Sequence, residues 1–114
     1  MTATVIDPRR VALTALAVVG DLTGVSLHFG NGGGAEISVH DGDVPFMARL
    51  LDLTGLTVSD ASEPRPVRDR QVVVFERTPL AHLSGALSVD WFTDDGETAL
   101  ADLDDYKRLA GGAS

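Results

Sequence analysis

Hydrophobic and polar positions alternate most clearly on either side of a glycine-rich stretch. Val25, Leu27 and Phe29 are separated by Ser26 and His28, and Ala35, Ile37 and Val39 by Glu36, Ser38 and His40. Successive side chains of a strand point to opposite faces, so these runs predict a hairpin with one buried face. For the apolar sets to share that face, Phe29 must oppose Ala35, His28 must oppose Glu36 and Leu27 must oppose Ile37. A slip of one residue would turn the whole set toward solvent.

A second hairpin is expected further along. "QVVVFER", residues 71–77, is a nearly continuous apolar run and reads as a central strand covered on both faces. Thr78-Pro79 makes a turn, and His82 to Phe92 alternates again. Leu83, Leu87, Val89 and Trp91 lie on one face, His82, Ser84, Ser88 and Asp90 on the other, and Gly85 marks a bulge or bend.

Three segments have helical spacing instead. Asp7-Pro8 is an N-cap followed by proline at the first helical position. The run Val11–Val19 behind it is apolar on every side except at Thr14. A buried strand is the competing reading, and the Ala and Leu content favours helix. Such a helix needs cover on more than one side, from the sheet and from a second layer or second subunit. Asp43 caps the next helix, where Phe46, Leu50 and Leu53, joined by Met47 and Leu51, form the buried stripe. Arg49 and Asp52 face away, and Gly55 is the stop. A short strand is expected at Leu56 to Val58. The third helix runs from Gly96 to Leu109, with Leu100, Leu103, Tyr106 and Leu109 inward and Asp102, Asp105 and Lys107 outward.

Between these units, "DASEPRPVRDR" (60–70) has two prolines and no periodicity and predicts a long loop, while 111–114 reads as a flexible tail. The expected fold is one α+β domain over residues 1–114. An antiparallel sheet of four to five strands, built from two hairpins, is covered mainly on one face by two or three helices. No internal repeat is evident, although two hairpins each followed by a helix is a pattern that a weak duplication could produce.

Charge and composition narrow the functional classes. The 114 residues carry a formal charge of −8, which argues against direct binding to nucleic acid or anionic membranes, since such binding draws on clustered Lys and Arg. There is no cysteine, hence no disulfide framework, thiolate nucleophile or Cys-based metal site, and a reducing cytoplasm is the expected compartment. Arg9-Arg10 before Val11–Val19 has the outline of a secretory signal. Asp7 ahead of the arginines and a run about half the ~20 residues that a spanning helix needs point to mature structure instead.

"GNGGGA", residues 30–35, satisfies the G-x-G-x-x-G/A pattern of a dinucleotide turn. That motif works only where a helix begins inside it and aims its amides at the phosphates. Here an alternating strand follows, so the loop reads as a corner, and no cofactor is expected. His28, His40 and Asp41 invite a metal reading. In the predicted register, however, His40 opposes Gly24, four residues or roughly 13 Å from His28, too far for ligands each about 2.1 Å from one ion. "HDGD" (40–43) is too short for a calcium loop and reads as a turn followed by an N-cap. Ser84 with His82 is the nearest approach to a nucleophile and base, yet the pair lies about 6.6 Å apart along one strand. Asp90 is too distant along that strand to orient His82, and Glu76 is the other acid available.

Two charged segments remain. Arg65, Arg68 and Arg70 crowd one loop, and guanidinium groups favour bidentate contacts with carboxylates or phosphates. From Asp90 to Asp105 there are seven acids and no base, including Asp102 and Asp105 on the third helix. These five residues are the candidate partner contacts, and the simplest partner of the arginines is the acidic helix, within the subunit or in a neighbour.

The expectation is a non-enzymatic accessory protein that binds other proteins or assembles with itself, most simply as a homodimer. One alternative is an acidic inhibitor carried by a phage or mobile element, whose carboxylates imitate a phosphate backbone and engage a host nucleic-acid-binding protein. Another is a small ligand-binding domain or enzyme with a pocket between sheet and helices.

Overall fold

In a computed structural model the protein is described over residues 7–20, 22–30, 34–77 and 86–111. The elements run α1 (Pro8–Val19), β1 (Val25–Phe29), β2 (Ala35–His40), α2 (Val44–Thr54), a 3₁₀ turn (Val58–Asp60), β3 (Arg65–Val67), β4 (Arg70–Arg77), β5 (Leu87–Thr93) and α3 (Gly96–Gly111). The expected capping chemistry is present. Asp7 accepts from Arg9 N at 3.0 Å with Pro8 behind it, Asp43 accepts from Phe46 N at 2.9 Å, and Gly55 closes α2 at φ 79°. Asp95 caps α3 in the same way, accepting from Thr98 N at 2.7 Å.

The first hairpin has the register that alternation requires: Leu27 opposes Ile37, His28 opposes Glu36 and Phe29 opposes Ala35. Gly30 N donates to Gly34 O at 3.0 Å across the corner. β2 begins at Ala35, directly after Gly34, so the element that follows the glycines is a strand.

The sheet has five strands in the order β1-β2-β5-β4-β3. Three neighbouring pairs are antiparallel, but β2 and β5 run parallel, with Ile37 beside Val89 and Val39 beside Trp91. The sheet is therefore mixed and mostly antiparallel rather than wholly antiparallel. Alternation encodes the face of each strand and leaves open which strands of two hairpins adjoin. The two strand-strand-helix units place their outer strands on opposite sides of the β2/β5 seam, with helices on the same sheet face. No rotation superposes them, so the duplication reading fails.

Ile37, Val39, Val73, Phe75, Val89 and Trp91 all point to one face, where they form a single core with Met47, Leu50, Leu51, Leu103 and Tyr106. Full burial of such side chains contributes about 1.5–3 kcal/mol each. Ala12 and Ala15 seat α1 against this face, and α2 packs between α1 and α3. Phe75 and Tyr106 meet edge to face with ring centroids 5.5 Å apart, and the indole N–H of Trp91 donates to Gly42 O at 3.0 Å.

Several local expectations change. Leu56 to Val58 forms no strand: Thr57 N donates to the Asp60 carboxylate at 2.7 Å, and this side-chain bond closes a 3₁₀ turn. The segment 60–70 is not an irregular loop, since β3 pairs with β4 through a two-residue turn at Arg68-Asp69 with Arg68 at φ 58°. Three residues with a central proline are too few to show alternation. In α3, Leu100 and Leu109 are exposed, 56% and 54%, and the buried side is Ala99, Leu103 and Tyr106. On α1, Leu13 and Val18 stay exposed, so in the single chain the sheet and α2 cover only one side of that apolar helix. The predicted turn at Thr78-Pro79, the His82–Gly85 part of the second hairpin and residues 112–114 lie outside the described residues.

Candidate binding surface

Because all three helices pack on one face, the other face of the sheet has no layer over it among the described residues. Its composition is set by the register. Reading from β1 toward β3, one row holds Gly24, His40, Phe92, Val72 and Arg65. The next holds Ser26, Ser38, Asp90 and Val74, and the third holds His28, Glu36, Ser88 and Glu76. The face is thus divided. At one end the His40 and Phe92 rings stack at 4.5 Å and 5°, next to Val72, which is buried but belongs to no part of the helix-side core. Glu36 and Glu76 occupy the flanking strands at the other end, with Asp90 diagonal to both on the central strand.

Asp90 has the most altered acidity in this group. Burial pushes its carboxyl up to about 7, helped by the nearby Glu36 charge, by a hydrogen bond with the Glu36 side chain and by Glu76, against a smaller opposing pull from Arg65. Removing a carboxylate from water and setting it beside like charges disfavours its ionised form. Near neutral pH the group thus exchanges between a proton donor to Glu36 and a third negative charge on this face.

The five sequence-predicted contacts divide between the two sides of the molecule. Arg65 lies on the open face, in the row of Val72 and Phe92. Arg68 is exposed in the β3–β4 turn. Arg70 ends the same face and pairs with Asp41, whose φ is 63°, and with Asp94 at 3.4 Å. Asp102 and Asp105 are on α3, across the sheet. Burial raises the pKa of the partly buried Asp102 and weakens it as an acid, with Asp105 adding to the effect, and Asp105 pairs with Arg108 one turn along. Within the single chain Arg70 takes its partners from the β2–α2 and β5–α3 connections rather than from α3. Glu36 and Glu76 were missed as companions of Asp90, because only the β2/β5 adjacency places Glu36 beside it.

The helix side carries open grooves. One of about 850 Å³ lies between α2, the 3₁₀ turn and α3, lined by Ala48, Asp52, Leu56, Tyr106 and Lys107. Another, of about 550 Å³, lies against Ala61, Pro64, Gln71, Leu100 and Lys107. Between sheet and helices the side chains of Ile37, Met47, Leu50, Phe75, Val89 and Trp91 form one buried cluster. Among the described residues no group of three or more His, Asp or Glu side chains is placed to share a metal ion. His28 and His40 stand in different rows of the open face, as the register required, and the His82–Ser84 pair lies outside the described residues. No protein-family model matches this chain, and no curated protein or solved structure matches it either.

Proposed function

We propose that this chain is a non-enzymatic accessory protein that acts by protein–protein contact, and that the helix-free face of its sheet is the surface it presents. The observation that carries this reading is the one-sided coverage, among the described residues, of a five-stranded sheet whose other face combines the His40–Phe92 aromatic stack with a three-carboxyl group. Exposed surface that is part apolar and part charged in separate zones fits a protein partner. Such a partner brings Lys or Arg to Glu36, Asp90 and Glu76, and an apolar side chain to the His40–Phe92 stack. The proposed setting is the cytoplasm; among the described residues no helix is long and apolar enough to cross a membrane. The phosphate-mimic alternative has less support, because the seven acids divide among the open face at Asp90, the connection at Asp94 and Asp95, and α3.

The test is a photo-crosslinking residue placed in living cells at Ser38, in the centre of the open face, or at Glu97, exposed on α3. A discrete protein adduct from position 38 and none from position 97, abolished by Glu36→Lys with Glu76→Lys, is the expected result. Adducts formed equally from both positions, or none from position 38, would refute the proposal.

A further inference from the structure

The two edges of the sheet are built differently. β3 is three residues long, begins with Arg65, has Pro66 at its centre and is followed by Arg68, the features by which edge strands avoid pairing with other chains. β1 is five residues long, with no proline, Lys, Arg, Asp or Glu, and among the described residues no strand lies along its outer side.

Its free hydrogen-bonding groups are dictated by the hairpin. His40 N donates to Gly24 O at 2.8 Å and Gly30 N to Gly34 O at 3.0 Å. In an antiparallel pair the residues that exchange both bonds alternate with those that do not. Gly24, Ser26, His28 and Gly30 therefore face β2, and Val25, Leu27 and Phe29 turn their N–H and C=O groups outward. Val25 N is already used, donating to Leu22 O at 3.1 Å. The outward donors are thus Leu27 N and Phe29 N. Phe29 also stands on the core side of the sheet, yet it is 45% exposed.

This edge is complementary to itself. Paired antiparallel about Leu27, two copies set Leu27 against Leu27, Val25 against Phe29 and Ser26 against His28. Apolar groups then meet apolar groups on the helix side, and polar groups meet polar groups on the open face. Each Leu27 N–H reaches the other copy's Leu27 carbonyl, and each Phe29 N–H reaches a Val25 carbonyl, so every free outward donor is satisfied. We propose that the chain forms a two-fold symmetric dimer through β1, joining two five-stranded sheets into one of ten strands. This deepens the assembly part of the function proposed above by naming a second copy as the occupant of the β1 edge, and it makes the two open faces continuous.

The absence of cysteine allows a test of register. Ser26 and His28 are both exposed and, in the proposed dimer, form a non-hydrogen-bonded cross-strand pair with Cα atoms about 4.5 Å apart, within the range for a disulfide. Like residues fall on the diagonals, roughly 7–8 Å apart. Single variants Ser26→Cys and His28→Cys, equilibrated in a glutathione buffer, should give a disulfide-linked dimer when mixed and not when either is alone. Light scattering of the unmodified full chain should give twice the 12.0 kDa chain mass. Phe29→Lys should raise the dissociation constant by roughly tenfold or more, whereas Val67→Lys on the β3 edge should leave it unchanged, with circular dichroism confirming that both variants fold. A monomeric mass at every concentration, a mass indifferent to Phe29→Lys, or disulfides formed equally by the separate variants would overturn the dimer. None of those results bears on crosslinking from position 38 to another protein, so the two proposals fail separately.

Discussion

Replacing Asp90 by Asn tests the electrostatics of the open face directly. The Asp90 carboxyl titrates at about 7 in the folded chain, against an ordinary 3.8. The folded state therefore holds this proton more tightly than the unfolded state does, and the associated stability is complete below about pH 4 and is lost as pH rises toward 7. At 1.36 kcal/mol per pH unit the full span is about 4 kcal/mol. Somewhat more than half of that falls between pH 5 and 8, because Asp90 of the unfolded chain is already ionised at pH 5. Partial solvent access at this face halves it again, leaving about 1.3 kcal/mol. Asn keeps a donor for Glu36 and never ionises. Thermal unfolding of both proteins at pH 5 and pH 8 should show the melting temperature of Asp90→Asn relative to the parent rising by about 5 °C across that interval. Glu36, Glu76, Arg65, His28 and His40 share the face and are present in both proteins, so the difference reports the Asp90 proton together with its interaction with Glu36. Asp7, lowered by its Arg9 hydrogen bonds, and Asp95, lowered by its bond from Thr98 N, add stability that is lost only below about pH 4, outside the interval. A difference that is flat or that shrinks toward pH 8 would refute the argument.

Two further outcomes probe the packing. At Gly24 a methyl group would lie 2.7 Å from the His40 carbonyl oxygen on a backbone with φ 72°, so Gly24→Ala should cost about 2 kcal/mol or more, read from urea unfolding midpoints. Trp91, the sole tryptophan, is buried and hydrogen-bonded to Gly42 O. Its fluorescence should be blue-shifted in the folded chain, and Trp91→Phe should cost about 2 kcal/mol through lost volume and an orphaned carbonyl, measured in the same titration.

The β1–β2 hairpin was legible because buried alternation on both sides of a fixed loop permits one register. Asp7, Asp43 and Gly55 were legible because caps are local. The 3₁₀ turn and β3 were not, since each depends on a few contacts: Thr57 with Asp60, and β3 with the free edge of β4. The open face was half visible. Its members could be read strand by strand, but the Glu36, Asp90 and Glu76 grouping exists only because β2 lies beside β5. Arg70 shows the same limit: its charge was evident, while its partners Asp41 and Asp94 come from connections far apart in sequence.

The parallel seam between β2 and β5 also governs how the chain reaches this state. β1 can meet β2, and β3 can meet β4, across short turns, and such hairpins form in roughly 1–10 μs. Ala35 meets Leu87 only across a span of chain that includes α2, β3 and β4, so the loop-closure entropy of that span weighs on forming this seam. The seam, whose core face is closed by Ile37, Val39, Val89 and Trp91, therefore holds the least local pairing of the sheet, the kind of contact that weighs most on folding rate.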